Sequence, residues 1–202
     1  MMIQFRNTRF VMATAELSQA PIPDRPEIVL SGKSNVGKSS LINALADNKK
    51  LARISGEPGK TRLVIYFDVD NRFYLVDLPG YGYAKAPHSV QKQYGDLVER
   101  YFAVGRPISL ILHLVDIRHK PSQNDLMMID YMNTKGLPYF LIYTKADKLS
   151  AAEIRRKTDE YLEDIPNAST IKIFSVSSEK KKGLEDVRTA IDEFLYPMSV
   201  EG

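Results

Sequence analysis

The sequence contains no cysteine. Disulfides, thiolate zinc sites and cysteine nucleophiles are therefore excluded, and a cytoplasmic location is the expectation. No apolar run reaches the roughly 18 residues that a membrane-spanning helix needs. Met1 to Arg9 carries charge and no apolar stretch, so it does not read as a signal peptide. Neither end offers an amphipathic membrane anchor. Internal repeats and low-complexity segments are also missing. Neither sign of charge dominates: 28 Lys and Arg against 25 Asp and Glu leave a net +3 and a pI near 8.9. That balance permits contact with nucleic acid without requiring it. The runs Arg155-Arg156-Lys157 and Lys180-Lys181-Lys182 suit phosphate contacts, but no aromatics interleave them as a base-stacking surface would have. Arg118 and Lys120 are either RNA contacts or solvated charge.

What is present is an ordinary globular composition, 44% hydrophobic and 26% charged over 202 residues. That length makes one domain with short extensions, able to bury roughly 70% of its unfolded surface.

The stretch Gly32-Lys33-Ser34-Asn35-Val36-Gly37-Lys38-Ser39 fits the phosphate-loop pattern G-x-x-x-x-G-K-[ST] at every fixed position. Ile28-Val29-Leu30 reads as the strand entering the loop, and Ser40 to Leu45 as the helix leaving it. Gly32 and Gly37 let the backbone wrap around a phosphate with no Cβ in the way. The loop N–H groups and the helix N-terminus then face the anion. Lys38 supplies charge to the β- and γ-phosphates, and the Ser39 hydroxyl is placed to ligate Mg²⁺.

Strand and helix patterns alternate beyond this loop. Leu63–Val69 and Arg72–Asp77 flank Asp70-Asn71, a tight-turn pair, so they form an antiparallel hairpin. Apolar spacing marks a helix over Ser89–Ala103, a buried strand over Ile108–Val115, a helix over Gln123–Thr134 capped by Gly136, and a strand over Pro138–Tyr143. A helix over Ala151–Leu162, a strand over Ile171–Ser175 and a helix over Leu184–Leu195 complete the order. This is an α/β sheet with helices on both faces. Upstream, Ile3-Gln4-Phe5-Arg6 and Arg9-Phe10-Val11 hint at an edge strand, and Pro21, Pro23 and Pro26 keep the chain extended.

Three further stretches bear on the ligand. Asp77-Leu78-Pro79-Gly80 ends a strand; Asp77 can hold Mg²⁺ and Gly80 can offer an unobstructed N–H to a γ-phosphate. Thr144-Lys145-Ala146-Asp147 also follows a strand and resembles the [NT]-K-x-D guanine motif of GTPases. A carboxylate there accepts from N1–H and the exocyclic amine of guanine, donors that adenine lacks. Ser175-Val176-Ser177-Ser178 resembles the loop whose backbone amides close over guanine, with Val176, Ser177 and Ser178 contributing through main chain. Gly59, Lys60 and Thr61 resemble the switch segment whose threonine reaches Mg²⁺ and γ-phosphate only in the GTP state.

Together these residues resemble a Ras-like, translation-factor-class GTPase, and most closely the EngB (YihA/YsxC) family of bacterial ribosome-biogenesis GTP-binding proteins. The likeness runs from Pro26-Glu27-Ile28 through Gly32 to Asn43, Leu51-Ala52-Arg53, Pro58 to Thr61, and Asp77 to Ala84. Val115-Asp116-Ile117-Arg118-His119 and Thr144 to Lys148 complete it. Lys33 departs from the family's more usual Arg at an outward-facing position. The resemblance implies a three-layer domain whose mostly parallel six-stranded sheet has one antiparallel strand. It implies an N-terminal extension over 1–25, a GTPase domain over 26–197 and a tail over 198–202. It implies GTP or GDP with Mg²⁺ held by Ser39, Thr61 and Asp77. The binding set would be residues 32–40, 59–61, 77–80, Thr144, Lys145, Asp147 and Val176 to Ser178, Ser40 and Leu78 included. The implied partner of a monomer is a precursor of the large ribosomal subunit, and a role in division-septum formation comes with the family.

Lys38 and Thr61 are the catalytic candidates, with Asn35. Tyr81 stands where Ras-like enzymes carry the water-orienting glutamine, so either intrinsic hydrolysis is slow, as expected here, or another group positions the water. Asn35 either coordinates K⁺ beside the phosphates, as in cation-dependent relatives, or only shapes the loop. No catalytic base is evident: His88 and His119 fall in loops, and His113 reads as a satisfied core histidine. Tyr81 and Tyr83 either report nucleotide state to a partner or pack on the adjacent helix. A small-molecule kinase would need an arginine-rich lid, which is not evident, and a membrane-remodelling GTPase would need an anchor.

Overall fold

The loop between Gly32 and Ser39 owes its position to the strand before it. Strand β2 (Glu27–Gly32) is buried along its whole length, as strands sandwiched between helix layers are. It lies between β4 (Phe73–Asp77) and β5 (Ile108–Asp116), parallel to both. The sheet continues on one side through β6 (Tyr139–Thr144) and β7 (Lys172–Ser175), and on the other through β3 (Val64–Val69) to β1 (Thr8–Thr14). This is a computed structural model, and it describes residues 2–52, 63–82 and 88–197, without the side chains of residues 88–94. Gly59, Lys60, Thr61, Tyr83 and the tail over 198–202 therefore lie outside the described residues.

Among the described residues the sheet has seven strands in the order β1-β3-β4-β2-β5-β6-β7, one more than the six expected. The extra strand is β1, which pairs antiparallel with β3 from Thr8↔Val69 to Thr14↔Val64. It covers an edge that β3 would otherwise leave open. Phe10 packs edge-on against Phe67 across that pairing, at 6.2 Å between ring centroids. Only the second of the two upstream segments is strand. Ile3 and Phe5 are buried instead at the start of a single 3₁₀ turn, because Ile3 N–H is held by Asp192 and Phe5 packs edge-on against Phe73. β3 alone runs against the other six strands, as the hairpin predicts. Asp70 and Asn71 have φ of 54° and 55°, the pair of left-handed residues that a type I′ turn needs.

Helices α1 (Lys38–Leu45) and α5 (Leu184–Leu195) cover one face of the sheet, and α2 (His88–Ala103), α3 (Gln123–Lys135) and α4 (Ala151–Leu162) the other. Alternation along β5 divides the core: Leu110, Leu112 and Leu114 join Leu41, Ile42 and Val187, while Ile111 and Val115 join Leu97, Ile129 and Tyr161. Capping sets the helix ends. Ser122 with Asp125 and Ser150 with Glu153 form reciprocal capping boxes, and Gly136 at φ 62° closes α3. At the start of α1 the helix begins at Lys38, two residues before the expected Ser40, because Gly37 at φ 119° already turns the chain. No helix among the described residues is long and apolar enough to cross a membrane.

Candidate functional site

The C-terminal ends of β2, β4, β5, β6 and β7 meet along one edge of the sheet, where open α/β sheets bind ligands. Gly32 passes so close to β5 that a Cβ would fall 2.6 Å from the Leu114 carbonyl oxygen. Asn35 adopts φ 62°, a left-handed conformation that asparagine tolerates. The phosphate loop is stitched to the segment after β4: Ser34 N–H donates to the Tyr81 carbonyl at 2.8 Å, and Gly80 abuts the Ser34 backbone and the Lys38 ammonium.

Lys38 Nζ lies 3.9 Å from Asp77 Oδ1, and both side chains are nearly enclosed. Burial raises the Asp77 pKa, and the Lys38 ammonium and Ser39 hydroxyl pull it back. Asp77 Oδ1 has no hydrogen-bond partner. An orphaned, buried carboxylate oxygen beside a serine hydroxyl suits a hard cation such as Mg²⁺, which takes one or two carboxylates plus phosphate oxygens. No cluster of three or more His, Asp or Glu side chains exists among the described residues, so an all-protein metal cage is not offered there.

The Thr144–Asp147 stretch sits against the loop. Thr144 Oγ donates to the Val36 carbonyl at 2.7 Å, and Lys145 Nζ donates to the Asn35 carbonyl at 2.9 Å. Asp147 Oδ1 accepts from Ser177 Oγ at 2.6 Å, and Lys148 pairs with Oδ2 at 2.9 Å. The Ser177 hydroxyl and the Lys148 ammonium lower the Asp147 pKa, so it is ionised at neutral pH. In the loop after β7, Val176 N–H is held by the Tyr143 carbonyl and Ser177 N–H by the Lys182 carbonyl. Ser177 thus reaches the site with its side chain. The next amide, of Ser178, carries no hydrogen bond to a described residue.

One residue at the site, Asp116, carried no role in the sequence reading beyond the family likeness. Asp116 ends β5 and takes Lys145 Nζ at 2.8 Å and the Arg118 guanidinium at 2.9 and 2.7 Å. Arg118 is therefore paired, and Lys120 bonds Asp164 at 2.8 Å. A polar residue directly after the apolar run of β5 was the available signal. With the loop, this segment encloses a cavity of about 240 Å³ lined by Lys33, Asn35, Asp116, His119 and Lys145, among others.

Tyr81 packs; its hydroxyl donates to Asp125 Oδ1 at 2.5 Å and its ring stacks on His113. Burial, then the Asp125 charge, push the Tyr81 pKa far up. His113 is fully buried, but only half satisfied: Nε2 lies 3.5 Å from the Tyr81 hydroxyl and Nδ1 has no partner. Burial lowers its pKa to about 4, against the pull of Asp125. The unfolded chain, with His near 6.5, binds a proton that the folded chain refuses. Stability is thus present above pH 6.5 and lost as pH falls toward 4, by at most about 3 kcal/mol. His113→Phe is expected to flatten the fall in melting temperature between pH 7 and 5. An equal fall in variant and parent would remove His113 as its source.

Proteins similar to this chain are numerous. A family model described as a 50S ribosome-binding GTPase matches residues 27–145. A probable GTP-binding protein EngB of Halothermothrix orenii is 39% identical over 95% of this chain and 99% of its own length. One of Clostridium botulinum is 41% identical over 92% of this chain and 93% of its own. Among solved structures, a probable GTP-binding protein engB superposes with a TM-score of 0.67 over 84% of this chain and 98% of its own, at 24% identity. Era in complex with MgGDPNP and 16S ribosomal RNA gives 0.66 over 84% of this chain and 57% of its own, at 20% identity. These two share the fold, and the closer sequences carry the kinship: the chain belongs to the EngB-type, 50S ribosome-binding family of P-loop GTPases.

Proposed function

We propose that this protein binds GTP and GDP with Mg²⁺ and acts as a hydrolytic switch in assembly of the large ribosomal subunit. One observation carries the guanine reading: the Asp147 carboxylate, oriented by Ser177, is tied through Thr144 to the Val36 carbonyl of the phosphate loop. Base and phosphate recognition then form a single unit. In this reading residues 32–40 cradle the phosphates and Lys38 neutralises developing charge. Ser39 and Asp77, with Thr61, would hold Mg²⁺, which would supply positive charge to offset that of the phosphates. Gly59 to Thr61 and Leu78 to Gly80 sense the γ-phosphate. Lys145, Asp147 and the loop from Val176 to Ser178 enclose the base. The nucleotide-binding unit is taken as residues 26–197, with 1–25 adding strand β1 to its sheet.

The ribosomal role is supported by the family. Fluorescent GDP and GTP analogues should bind the purified protein without competition from ATP. It should then co-sediment with large subunits more with a GTP analogue than with GDP. Competition by ATP would end the guanine reading, and nucleotide-independent sedimentation would end the switch. The division-septum role is carried with the ribosomal one as a proposal that rests on the family resemblance alone. A depleted strain that septates normally would remove that role.

Slow intrinsic hydrolysis is proposed because the Tyr81 hydroxyl is committed to Asp125, away from any attacking water. Tyr81→Phe should change single-turnover hydrolysis by less than about threefold while costing about 1–2 kcal/mol of stability, since buried Asp125 loses a donor. A large fall in rate with unchanged melting would instead make the hydroxyl catalytic. Asn35 is the proposed K⁺ ligand; equal hydrolysis in KCl and NaCl would remove that role.

A further inference from the structure

Lys145 is a long, flexible side chain on which the guanine site depends, and such a chain loses considerable rotamer freedom when fixed. Here it is fixed from two sides, by the Asn35 carbonyl of the phosphate loop and by the Asp116 carboxylate. The second anchor is itself held. Asp116 Oδ1 accepts from the Arg118 N–H at 3.1 Å and from Arg118 Nε at 2.9 Å. Oδ2 accepts from Arg118 Nη2 at 2.7 Å and from Lys145 Nζ at 2.8 Å. Four donors on two oxygens leave the carboxylate one orientation. Sheet register explains the meeting: Asp116 of β5 stands opposite Thr144 of β6, so the residue after Thr144 emerges beside it. The Asp116 side chain is 15% exposed and that of Lys145 30%, so solvent screens the pair only in part.

We propose that Asp116, locked by Arg118, is a positioning residue of the nucleotide site that holds Lys145 in place before the base arrives. The inference rests on the guanine reading above. Its physical content is preorganisation: a side chain already immobilised costs less to order on binding. The alternative is a surface ion pair that ties β5 to β6 and is indifferent to nucleotide.

A double-mutant cycle separates the two. Asp116→Asn is expected to weaken GDP binding roughly five- to tenfold, mostly through faster dissociation. Lys145→Met, which keeps the stem and removes the ammonium, should weaken it at least as much. The double variant should bind within about twofold of Lys145→Met alone, since the partner is already gone. Asp116→Glu should restore part of the loss. Additive losses in the cycle, or an Asp116→Asn variant that binds within twofold of the parent, would overturn the proposal. Should Asp116→Asn fail to melt cooperatively, Asp116→Ser takes its place in the cycle. Failure of the unaltered protein to bind GDP would instead sink the guanine reading itself. GDP binding with an additive cycle would sink only the role of Asp116.

Discussion

Asp147→Asn is expected to weaken GDP binding by about a hundredfold or more and to create affinity for xanthosine diphosphate. A carboxylate accepts two hydrogen bonds from guanine, and a site built for such bonds discriminates strongly because its unmet polar groups are costly. Asparagine keeps one acceptor and turns the other position into a donor. Guanine then meets an N–H facing its own exocyclic amine, while xanthine presents a carbonyl there and is matched. Ser177 Oγ, at 2.6 Å from Oδ1, still has an acceptor to hold, while half-exposed Lys148 gives up Oδ2 and keeps its pairing with Glu179. Titration of parent and variant with both fluorescent diphosphates checks this. Unchanged GDP affinity would mean that Asp147 does not touch the base.

Gly32→Ala is expected to destabilise the fold by about 3–5 kcal/mol and to abolish nucleotide binding. Two costs combine. The residue has φ 148°, which an L side chain rarely adopts, and its new Cβ would lie 2.6 Å from the Leu114 carbonyl oxygen. Neither backbone can retreat cheaply, because Gly32 and Leu114 are paired in the central ladder of the sheet. Any relief would move the phosphate loop off its strand. In urea the midpoint should fall by about 2 M, given a slope of about 2 kcal/mol per molar. A midpoint within about 0.5 M of the parent would show that the loop adjusts freely.

Most of the fold was legible because its signals are local. The limits of α4 and α5, the type I′ turn at Asp70-Asn71 and the cap at Gly136 were readable from apolar spacing and turn chemistry. Strand β1 was only hinted at. Its pattern is mixed, with exposed Phe10 and Val11, and its stability comes from pairing with β3, residues that lie far along the chain. A half-exposed edge strand leaves a weak imprint on sequence.

The candidate site divides the same way. Contiguous motifs named the phosphate loop, Asp77, Gly80 and Asp147, because backbone amides, a lysine and a carboxylate must follow one another at set spacing to wrap a nucleotide. The Ser177 side chain and the pairing of Tyr81 with Asp125 and of Lys145 with Asp116 were invisible, each joining residues about thirty or more positions apart. The sequence alone determined which phosphate-binding chemistry this protein carries, since that chemistry is written in adjacent residues. Only the tertiary structure decided which side chains hold those residues still, because the register of parallel strands brings such partners together and no local spacing encodes it.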